Sequence, residues 1–320
     1  MRLTGFLLLF SLLTLPEVYG QKIDNTSSIR SLPTSSYFRF SYDNDYFSAT
    51  DYYYTQGYSF ELAHPSLRKN PLARLLVRLN DSSAINGIAL EHIGFTPTSI
   101  RHEEILVGDR PFAAVIGLKS FLISINREKK LRLASVLSTG VIGPAAFGGE
   151  MQKTIHGWIG GVDPKGWNHQ LKNDIVLNYQ LALEKSLIEQ KLFSLNAGTK
   201  LNAGTLHDNI EVSSILKAGI FEADYELSSK AKRLFQAYIY FEPVVGLVAY
   251  DGTLQGGMLN RSSEYTIASS ELSRMTFQQN LGLIVKIRGL YLEYSRSFIT
   301  KEFQMGRRHS WGGIKLGFGI

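Results

Sequence analysis

Hydrophobic and polar residues alternate with a period of two along most of the chain, which is the pattern of β-strands with two different faces. In residues 37–43, Phe38, Phe40 and Tyr42 alternate with arginine, serine and aspartate. The pattern recurs in residues 55–64, 87–95, 113–125, 131–142, 174–184, 192–202, 212–221, 235–248, 277–286, 291–298 and 312–320. The chain therefore predicts about twelve strands.

The polar faces of these strands are larger and more mixed than a soluble sheet requires. In residues 174–184, Asn178, Gln180 and Glu184 oppose a face made of isoleucine, leucine and tyrosine. A barrel whose apolar face meets lipid and whose polar face lines the lumen explains both faces. We therefore predict an all-β fold, an antiparallel transmembrane β-barrel of about twelve strands, with a soluble β-sandwich as the alternative.

Loop lengths predict which end of the barrel faces outward. The connections after the fourth, sixth and tenth strands are short, whereas those after the first, third, fifth, ninth and eleventh are long and polar. Long loops are typical of the external end. One connection breaks this pattern, because residues 65–85 follow the second strand and are nevertheless long. The spacing of Leu72, Leu75, Leu76 and Leu79 predicts a periplasmic amphipathic helix there.

One helical pattern interrupts the strands, in residues 143–170. Glycine pairs at 148–149 and 160–161 bracket about three turns of a short helix in an outer loop. Gln152 and His156 are four residues apart, so they project side by side. A neutral imidazole can take a proton from bound water, which is the minimum needed to hydrolyse an ester. The alternative is a packed connecting helix with a structural histidine.

The first twenty residues contain the one long apolar block of the 320-residue chain. They match a secretory signal peptide and are too short to remain as a membrane helix. We expect residues 1–20 to be removed and residues 21–320 to form a single barrel domain. In an exported protein, a net charge of +6 favours an anionic lipid surface over nucleic acid.

The predicted topology brings polar residues from three loops to the outer rim, and convergence from separate loops is what an active site needs. Oxygen ligands at Asn44 and Asp45 suit calcium in kind, although calcium takes about six to eight. Taken singly, Asn44-Asp45-Tyr46 is a loop turn as often as a ligand, and Asp109-Arg110-Pro111 is by default a local ion pair that steadies a turn. The clusters are Asn44, Asp45, Asp51 and Thr55; His102, Asp109 and Arg110; and Gln152, His156 and Asp163.

Other catalytic patterns are weaker. The sequence contains no nucleophile elbow, zinc-binding helix or phosphate-binding glycine loop. His309 and Ser310 could form the serine and histidine of an outer-membrane phospholipase, but adjacent residues of a strand point to opposite faces. A porin or adhesion barrel without catalytic activity is a further alternative.

Four spaced motifs carry a family resemblance. They are YDNDYF at 42–47, YYTQG at 53–57, GDRPFA at 108–113, and GP…GE-x-Q-x-x-x-H…GW-x-x-Q within 143–170. In this order they resemble the lipid A 3'-O-deacylases of Gram-negative outer membranes. The resemblance is detailed over residues 36–185 and rests on barrel patterning beyond them.

The resemblance implies a twelve-stranded barrel, calcium-dependent release of the 3'-linked acyloxyacyl group of lipid A, and a histidine base at His156. The family's other active-site positions fall on Asn44, Asp45, Thr55 and Gln152. At one position the chain departs from the family pattern. Where a well-known member has a glutamate, this chain has Val162, followed by Asp163.

We therefore expect an outer-membrane esterase that acts on lipid A or lipopolysaccharide in the outer leaflet, as a monomer that contacts membrane lipids but no nucleic acid. His156 is the expected base, and Asn44 and Asp45 the expected ligands of Ca²⁺. Gln152 and Thr55 are expected to orient water or substrate. The candidate ligands of the substrate phosphates are the basic rim residues Arg101, Arg110, Lys153 and Lys165.

Overall fold

A computed structural model describes residues 23–32, 34–48, 52–223, 225 and 233–320. The predicted signal peptide, residues 1–20, and Asp51 lie outside the described residues. Within these ranges the chain forms twelve antiparallel strands, each paired with its sequence neighbours, and the first strand pairs with the last to close a barrel. The strands are β1 (Tyr37–Asn44), β2 (Tyr53–Ala63), β3 (Ser83–Thr96), β4 (Ala113–Asn126), β5 (Leu131–Ile142), β6 (Asp174–Glu189), β7 (Phe193–Gly204), β8 (His207–Ile220), β9 (Phe235–Asp251), β10 (Met275–Ile287), β11 (Leu290–Ile299) and β12 (His309–Gly319).

Helical structure lies in the connections between strands and in the segment before β1. The helix predicted after β5 is confirmed as α1 (Gly148–Ile159), and α2 (Gly252–Gln255) is a single turn. In the part of the chain that the structure describes, no helix is long and apolar enough to cross a membrane. Shorter 3-10 turns lie at Ser28–Arg30, Asp45–Ser48, Pro65–Lys69, Pro71–Leu75, Pro144–Ala146 and Gly166–His169.

Side chains alternate between the lumen and the outer surface, as predicted. In β1, Arg39 is buried in the lumen whereas Phe40 is partly exposed on the outer face. In β12, Lys315 is buried while Ile314 and Phe318 are exposed. The predicted fold class, an antiparallel transmembrane barrel with an apolar outer face, is confirmed.

The N-terminal segment, residues 23–32, crosses the lumen. Arg30 Nε lies 3.0 Å from Glu293 Oε1 on β11, and the main-chain N–H of Ser28 donates to Glu184 Oε1 on β6 at 3.0 Å. Because β6 and β11 lie on nearly opposite sides of the closed sheet, these contacts span the interior. The segment is thus bonded to two nearly opposite sides of the barrel wall.

Replacing Glu293 by glutamine should lower the temperature at which the barrel unfolds. The change leaves Arg30 buried without its counter-charge, and breaking a buried pair in this way costs about 3–5 kcal/mol. Heat-modifiable gel mobility measures the transition. Glu189→Gln is the matched control, because its partner Lys130 is exposed and exposed pairs contribute about 0–1 kcal/mol. Equal transitions in the two variants would show that the buried pair does not hold the segment.

The connection after β2 does not form the amphipathic helix predicted for residues 65–85, so that prediction was wrong. It forms two 3-10 turns, Pro65–Lys69 and Pro71–Leu75. Pro71 separates them because proline restricts the residue before it and lacks the N–H that a continuing helix needs. Asn70 caps the second turn by accepting the Leu72 N–H at 3.1 Å.

Candidate active site

Helix α1 lies on the outside of the barrel wall. On β3, His92 lies on the same face as Leu90, and on β4, Ala114 lies on the same face as Leu118. Leu90 and Leu118 are 42% and 46% exposed, so this face is the outer one. His92 Nε2 donates to the carbonyl of Ala146, just before α1, at 2.9 Å. The wall at the rim of β3 and β4 is therefore covered from outside by the loop that carries α1.

Two features allow α1 to lie so close to the wall. A Cβ at Gly148 would overlap the Ala114 methyl group on β4, so only glycine fits at the start of the helix. Trp167, from the turn after the helix, is buried in one apolar cluster with Phe112 and Ala146. The glycine pair at 148–149 thus determines the packing distance as well as the helix boundary.

Gln152 joins α1 to the barrel wall. Its side chain is 1% exposed. Its Nε2 donates to Thr55 Oγ1 at 3.0 Å, and its Oε1 accepts the indole N–H of Trp167 at 2.6 Å. Because both ends of the amide are bonded, the contact fixes the helix against the start of β2.

Thr55 reaches the helix because β2 is irregular at that point. The pairing of β2 with β3 shifts register between Tyr54 and Gln56, and a bulge of this kind re-aims the side chain at its centre. Tyr54 packs inside the barrel, whereas Thr55 contacts Gln152 outside it. Asn44, at the end of β1, donates to the Thr55 carbonyl at 2.5 Å. The structure therefore brings Asn44, Thr55 and Gln152 together.

Asn44 and Asp45 lie where β1 ends and the loop that leads to β2 begins. Asn44 Oδ1 accepts the Tyr46 N–H at 2.7 Å, and Asp45 is 3% exposed. Across the described ranges, no group of three or more His, Cys, Asp or Glu side chains is placed to hold a metal ion. The pair fits calcium by donor type, since both offer oxygen, but main-chain, water or substrate oxygens would have to complete the about six to eight ligands.

His156 lies one turn after Gln152 and is half-buried. Its Nδ1 is 2.5 Å from the main-chain carbonyl oxygen of Val162. A carbonyl oxygen only accepts, so Nδ1 carries the proton, and in the neutral ring Nε2 holds the free lone pair. Asp163 is exposed. The imidazole is therefore oriented by the backbone at the position where the sequence departs from the family pattern.

The two glycines that follow α1, Gly160 and Gly161, leave room for the His156 ring. Gly160 has φ 67°, the left-handed conformation that favours glycine at a helix C-terminus. A Cβ at Gly161 would lie 3.1 Å from His156 Cγ, closer than side chains normally approach. The sequence predicts this glycine pair only as a helix end and predicts no role for Trp167. The glycine–tryptophan motif after the helix was the available signal.

The second predicted cluster does not join this group. His102 is exposed, and Arg110 is 1% exposed with its guanidinium paired to Glu302 and bonded to Thr253 Oγ1 at 2.6 Å. Burial raises the pKa of the Glu302 carboxyl to about 7, although Arg110 acts in the opposite direction. Arg110 thus ties together the loops that follow β3, β9 and β11.

Three other basic residues remain at the surface near α1. Lys153, Lys165 and Arg101 are all exposed. The Lys165 N–H donates to the Ile100 carbonyl at 2.9 Å, which places Lys165 next to Arg101, and Lys165 Nζ is 3.5 Å from Glu103. These three side chains are exposed at the protein surface, whereas that of Arg110 is buried.

His309 and Ser310 cannot act together. Cross-strand partners share a face, and Ser310 pairs with Phe298, which is 40% exposed on the outer surface. His309 pairs with buried Ile299. The two side chains therefore lie on opposite sides of β12.

Comparison with known proteins identifies a family over nearly the whole chain. A family model described as outer membrane protein LpxR matches residues 6–320. The structure of LpxR from Salmonella typhimurium is similar with a TM-score of 0.74 and 18% identity, covering 89% of this chain and 100% of that chain. No curated protein matches the chain.

Two autotransporter barrels are also similar, at lower scores. The translocator domain of NalP from Neisseria meningitidis has a TM-score of 0.46 and 10% identity, over 89% of this chain and 88% of that one. The beta domain of the Bordetella autotransporter BrkA has a TM-score of 0.43 and 8% identity, over 89% and 99%.

Proposed function

The chain belongs to the outer membrane protein LpxR family, and we propose that it is a lipid A 3'-O-deacylase, an esterase that removes the 3'-linked acyloxyacyl group of lipid A. The contact between Gln152 and Thr55 carries this proposal, because it fixes α1 and His156 on the outer wall at the rim. A lipid in the bilayer reaches an outer-wall site without entering the lumen. The motifs that resemble lipid A 3'-O-deacylases hold these same residues.

His156 is the proposed general base. Its Nε2 takes a proton from a water molecule, and the water oxygen attacks the carbonyl carbon of the 3' ester. The bond between that carbon and the 3' oxygen then breaks, and His156 returns the proton to the leaving oxygen. The products are an acyloxyacyl carboxylic acid and a free 3'-hydroxyl group. Proton transfer of this kind contributes about 10²- to 10⁴-fold to the rate.

The other predicted residues divide into two roles. Asn44 and Asp45 would hold a calcium ion, which when bound supplies positive charge for the oxyanion, an effect typically worth about 3–4 kcal/mol. Gln152 uses both ends of its amide on Thr55 and Trp167. We therefore assign Gln152 and Thr55 to positioning α1 rather than to contacting water.

Exposed cations near α1 are the proposed ligands of the substrate phosphates. Lys153 and Lys165 present ammonium groups to the outside, and Arg101 lies beside Lys165. Phosphate oxygens accept strong charge-assisted hydrogen bonds from such groups. Arg110 is left out of this role because it is buried against Glu302.

The proposal requires the α1 end of the barrel to face outside the cell. An epitope inserted after Asp163, which is exposed, should be stained on intact cells. An epitope in residues 127–130, the short turn between β4 and β5, should be stained only after permeabilisation. The reverse result would separate the site from the outer leaflet and contradict the proposed function.

The alternative functions predict different products. A phospholipase would cleave glycerophospholipids, and a porin would conduct solutes without cleaving any lipid. Residues 23–32 cross the lumen, which argues against a wide pore. Purified, refolded protein should be incubated separately with lipid A and with glycerophospholipid, and the products identified by mass spectrometry. We expect 3'-acyl release from lipid A alone; cleavage of phospholipid with intact lipid A would overturn the proposal.

A further inference from the structure

Residues 65–82 form a surface that the proposed reaction does not use. They follow β2 and lie against the outside of the barrel wall. The Val77 carbonyl accepts from Ser135 Oγ on β5 at 2.6 Å, and the Val77 N–H donates to the Tyr179 hydroxyl on β6 at 3.1 Å. The segment therefore bonds to outward-facing side chains of two strands.

Apolar packing fixes the same segment to the outward-facing side of the wall. Leu76 is buried against Leu122 on β4 and Leu137 on β5. Leu122 lies on the same face of β4 as Leu118, whose side chain is 46% exposed on the lipid-facing wall. Ser120 lies on this face too, and its hydroxyl accepts from the Asn70 amide at 3.3 Å. Polar wall positions that would otherwise face lipid are thus covered by the segment.

The surface that the segment turns away from the wall is both basic and apolar. Arg68, Lys69, Arg74 and Arg78 are exposed, and residues 65–80 contain no acidic residue. Leu75 and Val77 are 61% and 48% exposed beside them. Among the residues that the structure describes, none of these four cations forms an ion pair, and Arg78 donates to the Ser82 carbonyl at 2.6 Å. A basic and apolar surface of this kind is typical of segments that lie in a membrane interface.

We propose that residues 65–80 are an interfacial anchor that binds anionic phospholipids in the leaflet at the short-turn end of the barrel. Leu75 and Val77 enter the boundary of the acyl chains, and the four cations bind headgroup phosphates. Arginine suits this role because its guanidinium forms paired hydrogen bonds with phosphate oxygens. The anchor is separate from the ester-cleaving site, so its test does not depend on activity.

The test uses full-length mature protein in phosphatidylcholine vesicles that contain spin-labelled phosphatidylglycerol or spin-labelled phosphatidylcholine. Electron paramagnetic resonance measures the fraction of each label that the protein immobilises. We expect a preference of at least about threefold for phosphatidylglycerol. The quadruple variant R68Q/K69Q/R74Q/R78Q should lose it, and R68Q/R74Q should lose about half. Equal immobilisation of both lipids by the parent protein would overturn the proposal.

A matched control separates a local site from overall charge. K129Q/K191Q/R233Q/R288Q removes the same number of exposed cations from the same end of the barrel and should retain the preference. Equal losses in both quadruple variants would overturn the proposal. Inorganic phosphate at matched ionic strength should not reduce the preference. Complete displacement by inorganic phosphate would indicate a site for free anions rather than for lipid.

Discussion

Replacement of His156 by asparagine should slow 3'-acyl release from lipid A by about 10²- to 10⁴-fold, the usual contribution of a positioned base. Asparagine keeps much of the shape and can donate to the Val162 carbonyl, which His156 Nδ1 contacts at 2.5 Å. It has no basic nitrogen to replace Nε2. Because the imidazole acts mainly in the transition state, kcat should fall while KM changes little.

The measurement is the rate of 3'-acyl release by purified, refolded protein, with heat-modifiable mobility to establish that the barrel is closed. His102→Asn is the matched control, since His102 is an exposed histidine of the same rim. It should retain the parental rate. A folded His156→Asn protein with the parental rate would leave His156 with a structural role only.

Removal of divalent cations should abolish lipid A cleavage, and calcium should restore it better than zinc. Asn44 and Asp45 offer oxygen atoms, which calcium prefers, and the chain contains no cysteine for zinc. Asp45→Asn should raise the calcium concentration needed for half-maximal activity, because it removes a negative charge from the loop.

The rate of 3'-acyl release in chelator, and after addition of each metal, measures this dependence. Asp163→Asn is the control, because Asp163 is an exposed rim carboxylate outside the contacts of Asn44. Its calcium requirement should match that of the parent. Full activity in excess chelator would remove the metal role and leave main-chain N–H groups as the donors to the oxyanion.

The sequence predicted the barrel well because strand alternation is a local property. Arg39 is buried in the polar lumen and Phe40 is partly exposed on the apolar outer face, as the alternation of their polarity predicts. Residues 65–82 were predicted less well. Their leucine spacing suits a helix, yet Pro71 splits the segment and Leu76 packs on a wall formed by distant strands.

The convergence of separate loops at the candidate site could be predicted from the sequence. The contacts that depend on backbone conformation could not. The contact of Gln152 with Thr55 agrees with the expected convergence, but the bulge that turns Thr55 outward has no local sequence signal. The partner of the His156 ring is a main-chain carbonyl, which any residue could supply. The pairing of Arg110 with Glu302 joins loops far apart in sequence, so spacing alone could not reveal it.

The most direct test of the proposed function is mass spectrometry of lipid A from Gram-negative cells that express either the parental protein or His156→Asn. Both proteins should reach the outer membrane in closed form. The parental protein should convert lipid A to a species that lacks the 3'-linked acyloxyacyl group, and His156→Asn should leave most lipid A intact. Unchanged lipid A in cells that display the folded parental barrel, or equal conversion by both proteins, would contradict the proposed deacylase.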